Sequence, residues 1–393
     1  MTEVVLRPGR ERAVLNRHPW IFSGAISRIA GHPRPGDIVQ VQSAQGQWLG
    51  AGYLNPQSQI AVRLLSWEPG EIDAAFWRER LAAAIARRQR LAAAADTDCY
   101  RLVYAEADGL PGLVVDRYGD WLVLQALTLG IDVRKGELAV LLQELTGAQG
   151  VYERSDVDVR PREGLADVTG PLLGGDPPAS LLVHENSLAF DVDIAHGQKT
   201  GLYLDQRANR QRVAAYCAGA RVLNAFCYTG GFGVYAGRQV EAVVNLDSSA
   251  EALAAARVNW GLNDLDSERL REIKGDAFVE LRRLRDRGEL FDVVILDPPK
   301  FAFSQAQVQA AARGYKDINM LGLRLLRPGG ILATFSCSGA ISAEFFQKIL
   351  FGAALDVGRE VRIVERLTQG PDHPVLLSFP EAEYLKGVIA QVS

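Results

Sequence analysis

Cysteine is sparse. The four residues Cys99, Cys217, Cys227 and Cys337 stand singly in 393, which gives neither a disulfide framework nor the paired spacing of a zinc site. Free thiols in a reducing compartment are expected. The five histidines form no ligand set either, since His18 and His373 precede proline and His32, His184 and His196 are scattered, so no metal is expected. No uninterrupted apolar stretch is long enough to span a bilayer, and the start, Met1-Thr-Glu-Val-Val-Leu-Arg-Pro8, lacks the basic and apolar regions of a signal peptide. A cytoplasmic protein is the expectation. Internal repeats and low-complexity tracts are also lacking. A formal charge of −4 makes no global case for a polyanionic partner. Lysine is missing from residues 1–90, where 12 Arg face 7 acidic residues, a net of +5. This local excess points to phosphate contact by the N-terminal part, with an arginine-rich solvated surface as the plainer alternative.

What is present is enough for two or three domains with sizeable cores: 393 residues, 48% hydrophobic and 23% charged. Residues 1–70 read as short strands, Ile38–Gln42, Trp48–Tyr53 and Ile60–Leu65, with turns near Pro35-Gly36 and Asn55-Pro56, a pattern that predicts a small β-barrel. After Trp67-Glu-Pro-Gly70 the composition shifts, and residues 73–95 predict an Ala/Arg-rich helix with Phe76, Leu81, Ile85 and Leu91 as its apolar positions. Residues 71–180 form an α+β segment, with strands at Leu113 and at Trp121–Leu127, a helix around Val133–Leu145, and a loop at Gly170–Pro178. From 181 to 393 strands alternate with helices, which predicts βαβ units on a doubly wound parallel sheet. The expected strands there are Arg221–Phe226, Glu241–Leu246, Leu270–Lys274, Phe291–Leu296 and the run from Ile331.

Ligands of such a sheet bind beyond the carboxyl ends of the strands. Tyr228-Thr-Gly-Gly231 follows the first strand as a turn that lets backbone approach a ligand. It is not Gly-x-Gly-x-x-Gly, so a dinucleotide pyrophosphate is poorly matched. Asp247 ends the next strand, placed for ribose hydroxyls, and Asp276 ends the third, placed for an adenine amino group. Each acid alone also fits a strand-end or N-cap role; in succession the three strand ends point to a nucleoside-type cofactor. Asp297-Pro-Pro-Lys300 follows a fully apolar strand as a rigid elbow suited to hydrogen bonding a planar base. An isolated cysteine is ordinarily a small buried hydrophobe. Cys337, between Ser336 and Ser338-Gly339 at a strand end, instead reads as a nucleophile facing that elbow. Cys227 packs or touches the cofactor, and Cys99 and Cys217 pack. The polar loop His196-Gly-Gln-Lys-Thr-Gly201 either joins domains or closes over the site.

With these motifs the chain resembles the S-adenosylmethionine-dependent methyltransferases with an N-terminal PUA domain that make 5-methylcytidine in large-subunit (23S) ribosomal RNA. The resemblance covers nearly the whole chain: His18–Gly24, Asp108–Arg117 of a central domain of the EEHEAD kind, His196–Gly201, Tyr203–Arg207, Asn224–Phe232, Asp297–Phe301, Arg313–Asn319 and Ser336-Cys-Ser338. It implies a seven-stranded class I methyltransferase domain with the last strand inserted antiparallel. It implies S-adenosylmethionine held by Phe226, Tyr228, Thr229, Gly230, Asp247, Ser248, Asp276, Ala277, Asp297 and Gln206. The RNA would meet Pro298, Pro299, Lys300, Lys199 and Arg207. Cys337 would attack C6 of cytosine and Asp297 would hydrogen-bond N3, with a flipped base entering the crevice. A homodimer is also implied. Lys300 stands where many such enzymes place a second cysteine, so the base that removes the C5 proton is unassigned. Three other readings stay open: methylation of a purine nitrogen with Cys337 inert, an NAD-dependent oxidoreductase, and a non-catalytic RNA-binding assembly factor.

Overall fold

The structure is a computed structural model that describes residues 2–94, 96–302 and 304–393. It divides into two compact units. One comprises Met1–Ser187, Val192–Leu204 and Asp372–Ala382; the other comprises Leu188–Asp191, Asp205–Pro371 and Glu383–Ser393.

Among the described residues the first unit holds two larger sheets. Six strands pair in the spatial order Trp20–Phe22, Ile60–Ser66, Trp48–Leu54, Ile38–Gln42, Glu3–Leu6 and Ile26–Ala30. Their alternating inward residues, Val4, Leu6, Val39, Val41, Leu54, Val62 and Leu64, make one core. Three of these strands are the expected ones; Glu3–Leu6, Trp20–Phe22 and Ile26–Ala30 are additions too short to signal themselves. The second sheet runs Val168–Leu173, Gly150–Ser155, Trp121–Ala126, Leu113–Tyr118 and Cys99–Tyr104. Helix Ala74–Ala94 packs on it through Trp77, Leu81 and Ile85, while Phe76 is only partly buried; the expected helix end at Ala95 lies outside the described residues.

The expected loop at 170–178 is corrected here. Its first four residues belong to the strand Val168–Leu173, which pairs antiparallel with Gly150–Ser155. Pro171 is tolerated because this strand is at the sheet edge, where one N–H is not needed, and a register shift falls beside its partner Tyr152.

A buried polar knot fastens the N-terminal sheet to the central segment. Glu163, 2% exposed, accepts from both terminal nitrogens of Arg63 at 2.8 and 3.1 Å, from Ser58 Oγ at 2.6 Å and from Asn55 Nδ2 at 3.0 Å. Near it Gly130 faces the Tyr53 ring so closely that a Cβ would lie 2.1 Å from it, and Tyr53 donates to Pro111 O at 2.7 Å.

In the second unit, strands β1 (Arg221–Ala225), β2 (Ala242–Asp247), β3 (Leu270–Lys274), β4 (Phe291–Leu296), β5 (Leu326–Ser336), β6 (Val361–Leu367) and β7 (Lys386–Val392) form one sheet. Its order is β3-β2-β1-β4-β5-β7-β6. Neighbours among β1 to β5 are parallel, and β7 is antiparallel to both β5 and β6. Helices α1 (Arg207–Ala214), α2 (Gly231–Ala236), α3 (Ala250–Leu262), α4 (Ala277–Asp286), α5 (Val308–Leu325) and α6 (Ala343–Val357) cover it.

The sheet is buried on both faces, which is why β4 reads as a near-continuous apolar run. Leu223, Val244 and Val294 point to one core with Leu281, Ile318 and Phe346, while Val222, Val243 and Val293 point to the other with Val213, Phe232 and Trp260. The expected doubly wound sheet with its last strand inserted antiparallel is what forms.

Removing the Glu163 carboxylate would leave the Arg63 charge buried and unpaired. Glu163→Ala is therefore expected to destabilise the first unit by about 3–5 kcal/mol, with Glu163→Gln milder. Urea unfolding followed by tryptophan fluorescence checks this, and a loss below about 1 kcal/mol would contradict it.

Candidate active site

Strand register builds the site. Ala225 pairs with Leu246 and Leu296, Leu246 with Ile273, and Leu296 with Thr334. These residues form one row across β3, β2, β1, β4 and β5, and the chain beyond it supplies Phe226, Asp247, Asp297 and Cys337 on one edge. Gly275 N donates to Asp247 O at 2.9 Å and Cys227 N to Leu246 O at 3.1 Å, so the loops leave the strands still tied to their neighbours.

The turn after β1 is backbone held in unusual conformations. Phe226, Tyr228 and Gly230 have φ of 60°, 49° and 78°, all in the left-handed region that non-glycine residues rarely enter. Asp247 stabilises it: one carboxylate oxygen accepts Tyr228 N at 2.9 Å, the other Ser249 N at 3.0 Å. Asn259 Nδ2 donates to Thr229 O at 3.0 Å from α3. The absent side chains serve the protein's own packing. A Cβ on Gly230 would lie 2.8 Å from that of Ala256, and one on Gly231 3.0 Å from Arg210.

Asp247 is half-buried and its carboxylate has lone-pair sites beyond the two it uses, so it can still accept from hydroxyl groups in the crevice. Asp276 is exposed and is the N-cap of α4, accepting Val279 N at 3.0 Å, with Ala277 buried behind it. Ser248 is exposed between Asp247 and α3.

Asp297 leaves β4 half-buried, followed by buried Pro298 and exposed Pro299 and Lys300. Cys337 leaves β5, the strand beside it. Of the four cysteines it alone is not fully buried. Burial pushes the Cys217 thiol up to about 12 and the Cys227 thiol well above the usual range, so neither is a nucleophile near neutral pH.

Ser338 locks the two loops together. Its Oγ accepts Ala302 N at 3.3 Å from the Asp-Pro-Pro exit and lies 3.1 Å from the Tyr315 hydroxyl of α5. Tyr315 is fully buried, with the Phe301 ring 4.6 Å away and Phe346 edge-on at 5.6 Å. On the other side, Lys386 Nζ donates to Ser338 O at 2.7 Å. Ser338 and Tyr315 lie inside the quoted motifs without a role assigned there, and Lys386 lies outside them; all three organise the turn. The flanking serines and the lone lysine opening the apolar run Gly387–Ala390 were the available signals.

Gln206 is buried in the same unit and accepts Asn209 Nδ2 at 2.6 Å, and Arg207, also buried, opens α1. Lys199 belongs to the first unit, where it is exposed with its Nζ 4.2 Å from the Tyr203 ring centre. Cys99 is buried there, its thiol 3.3 Å from His184 O. Among the described residues no helix is long and apolar enough to cross a membrane.

The donor set suits a nucleoside cofactor: a backbone turn after β1, an acid with acceptor capacity at the end of the neighbouring β2, and a second acid past β3. Comparisons with known proteins agree. Residues 4–67 match the PUA-like domain family and residues 144–388 the S-adenosylmethionine-dependent methyltransferase family. The chain is 49% identical to the ribosomal RNA large subunit methyltransferase I of Tolumonas auensis and 47% identical to that of Escherichia coli, covering 99% of this chain and of each relative. Two solved structures share the fold over 100% of both chains at 22% identity. One is described as a SAM-dependent methyltransferase from Streptococcus mutans, with a TM-score of 0.85; the other is a methyltransferase complexed with SAH, with a TM-score of 0.86. The chain belongs to the S-adenosylmethionine-dependent methyltransferases that carry an N-terminal PUA-like domain, the family of the ribosomal RNA large subunit methyltransferase I proteins.

Proposed function

We propose that this protein methylates C5 of a cytidine in large-subunit (23S) ribosomal RNA. The names of the relatives support large-subunit ribosomal RNA as the substrate. The observation that carries the chemistry is that Asp297 and Cys337 both follow the ends of neighbouring parallel strands, with Ser338 bonded to the Asp-Pro-Pro exit.

S-adenosylmethionine, when bound, supplies an electrophilic methyl group. Asp247 would hold its ribose, Asp276 its adenine, and the Phe226–Gly230 turn its methionine part, with Ser248, Ala277 and Gln206 adjoining. The chain's own residues prepare the acceptor. Cys337 sulfur bonds to C6 of the cytosine, and the electron pair displaced from the C5–C6 double bond makes C5 nucleophilic. Asp297 hydrogen-bonds at N3 and stabilises the adduct. Once C5 carries the methyl group, a base takes the C5 proton and that electron pair re-forms the C5–C6 double bond as the S–C6 bond breaks, restoring the thiolate and the aromatic ring.

A base inside structured RNA must leave its stack to reach this crevice. Pro298, Pro299, Lys300 and Arg207 would receive it, and Lys199 is assigned to the RNA side from its motif. The N-terminal arginines would grip the backbone. This division of labour follows three segments, 1–70, 71–180 and 181–393, in a cytoplasmic protein.

Incubation with labelled cofactor and unmodified ribosomal RNA, read by nucleoside mass spectrometry, is expected to give 5-methylcytidine; a methylated purine would refute the reading. Cys337→Ala should abolish the product while leaving cofactor affinity unchanged within about twofold, and retained activity would remove the covalent step. Asp247→Ala loses charged hydrogen bonds to ribose and to its own turn, so calorimetry should show S-adenosylhomocysteine binding weakened roughly ten- to a hundredfold. An unchanged affinity would mean the ribose is held elsewhere.

A further inference from the structure

The covalent step needs Cys337 as a thiolate, and nothing so far assigns where the thiol proton goes. Lys386 is the first residue of β7 and stands directly opposite Ser336 in the antiparallel ladder with β5. Its Nζ donates to the carbonyl of Ser338, the residue after Cys337, at 2.7 Å, and a second bond goes to Tyr384 O at 2.6 Å. The residue is 9% exposed and is the only charged one in the buried stretch Leu385–Ala390.

We propose that Lys386 is the positioning residue that ionises Cys337: its amino group takes the thiol proton and holds the nucleophile as a thiolate–ammonium pair. This deepens, and rests on, the reading of Cys337 as nucleophile. The two carbonyls account for the geometry. A neutral amine has two N–H bonds and one lone pair. With both N–H bonds engaged by Ser338 O and Tyr384 O, the lone pair is what remains for a proton from the turn the amine already touches. In the transfer the S–H bond breaks, its electron pair stays on sulfur, and a third N–H bond forms. Elimination from C6 later returns the thiolate, so the pair is restored without further proton movement.

The surrounding charges agree. Burial lowers the Lys386 ammonium to about 8, low enough for the amine to serve as a base near neutral pH. A Cys337 thiolate favours the ammonium, as does Glu383, whereas Lys300 opposes it. By reciprocity the ammonium favours the thiolate. Tyr315, which reaches this turn from α5, is kept protonated because burial pushes its phenol up.

The test reads the thiolate directly, without RNA. Full-length protein is alkylated with iodoacetamide across pH 5.5–10 and the Cys337 peptide is quantified by mass spectrometry for wild type, Lys386→Met and Lys386→Arg. Wild type is expected to react with a midpoint well below that of an ordinary thiol, about 8.5. Lys386→Met should raise the midpoint by about one unit or more, and Lys386→Arg, which keeps a positive charge, should hold it low. Buried Cys99, Cys217 and Cys227 report folding in the same experiment by staying unmodified. An unshifted midpoint in folded Lys386→Met would reduce the lysine to a brace between two carbonyls. If that variant does not fold, a wild-type midpoint at or above 8.5 overturns the proposal by itself. Failure here with a Cys337–RNA adduct still formed would sink the lysine's role alone; a clear shift with no RNA adduct would sink the nucleophile reading and leave the ion pair.

Discussion

The register of five parallel strands is the constraint on which the site depends. Side chains alternate between the two cores, so a slip of one residue in β4 would send Val293 and Val294 to the wrong faces and move Asp297 out of its level beside β5. Because both faces are packed, that slip is costly, and the row from Ile273 through Leu246, Ala225 and Leu296 to Thr334 is firmly set. Chemistry-bearing groups are then placed by counting outward from that row. Asp247 and Asp297 follow it immediately, and Cys337 follows after Phe335 and Ser336.

Beyond the strands, hydrogen bonds replace register as the positioning device. Asp247 spends both carboxylate oxygens on backbone N–H groups, which makes a potential ligand contact also the fastener of a strained turn. Ser338 does the same for the opposite half, bonded to Ala302 N by its hydroxyl and to Lys386 by its carbonyl. Each half of the crevice is held by a group whose backbone contacts leave nearby polar capacity for a ligand. Such economy is the physical link between the fold and the reaction proposed for it.

Much of this was legible in the sequence because it follows from local pattern. Apolar runs marked β1, β2, β4 and the end of β5, and the residues that close or follow them, Asp247, Asp297 and Cys337, stood out by contrast. The buried cysteines were separable from Cys337 by the serines and glycine around it. What stayed hidden depends on distant pairing. Lys386 comes 49 positions after Cys337, and only the antiparallel insertion of β7 beside β5 brings the two together. Tyr315 likewise reaches Ser338 from another element, α5, 23 positions earlier in the chain. The strand at Val168–Leu173 was concealed by Pro171 and Gly170, residues that an edge position tolerates and a sequence pattern reads as a break. Asp276 shows the opposite case, since its visible signal is equally that of an N-cap, a role it does fill.

The central claim is that Cys337 bonds to the base it serves. Ribosomal RNA carrying 5-fluorocytidine replaces the C5 proton with an atom that cannot leave as a proton, so the adduct should persist once methylated. Incubation with cofactor, nuclease digestion and peptide mass spectrometry should then find a methylated fluorocytidine nucleotide on the peptide containing Cys337. Absence of any adduct, or an adduct mapped to another residue, would contradict the account.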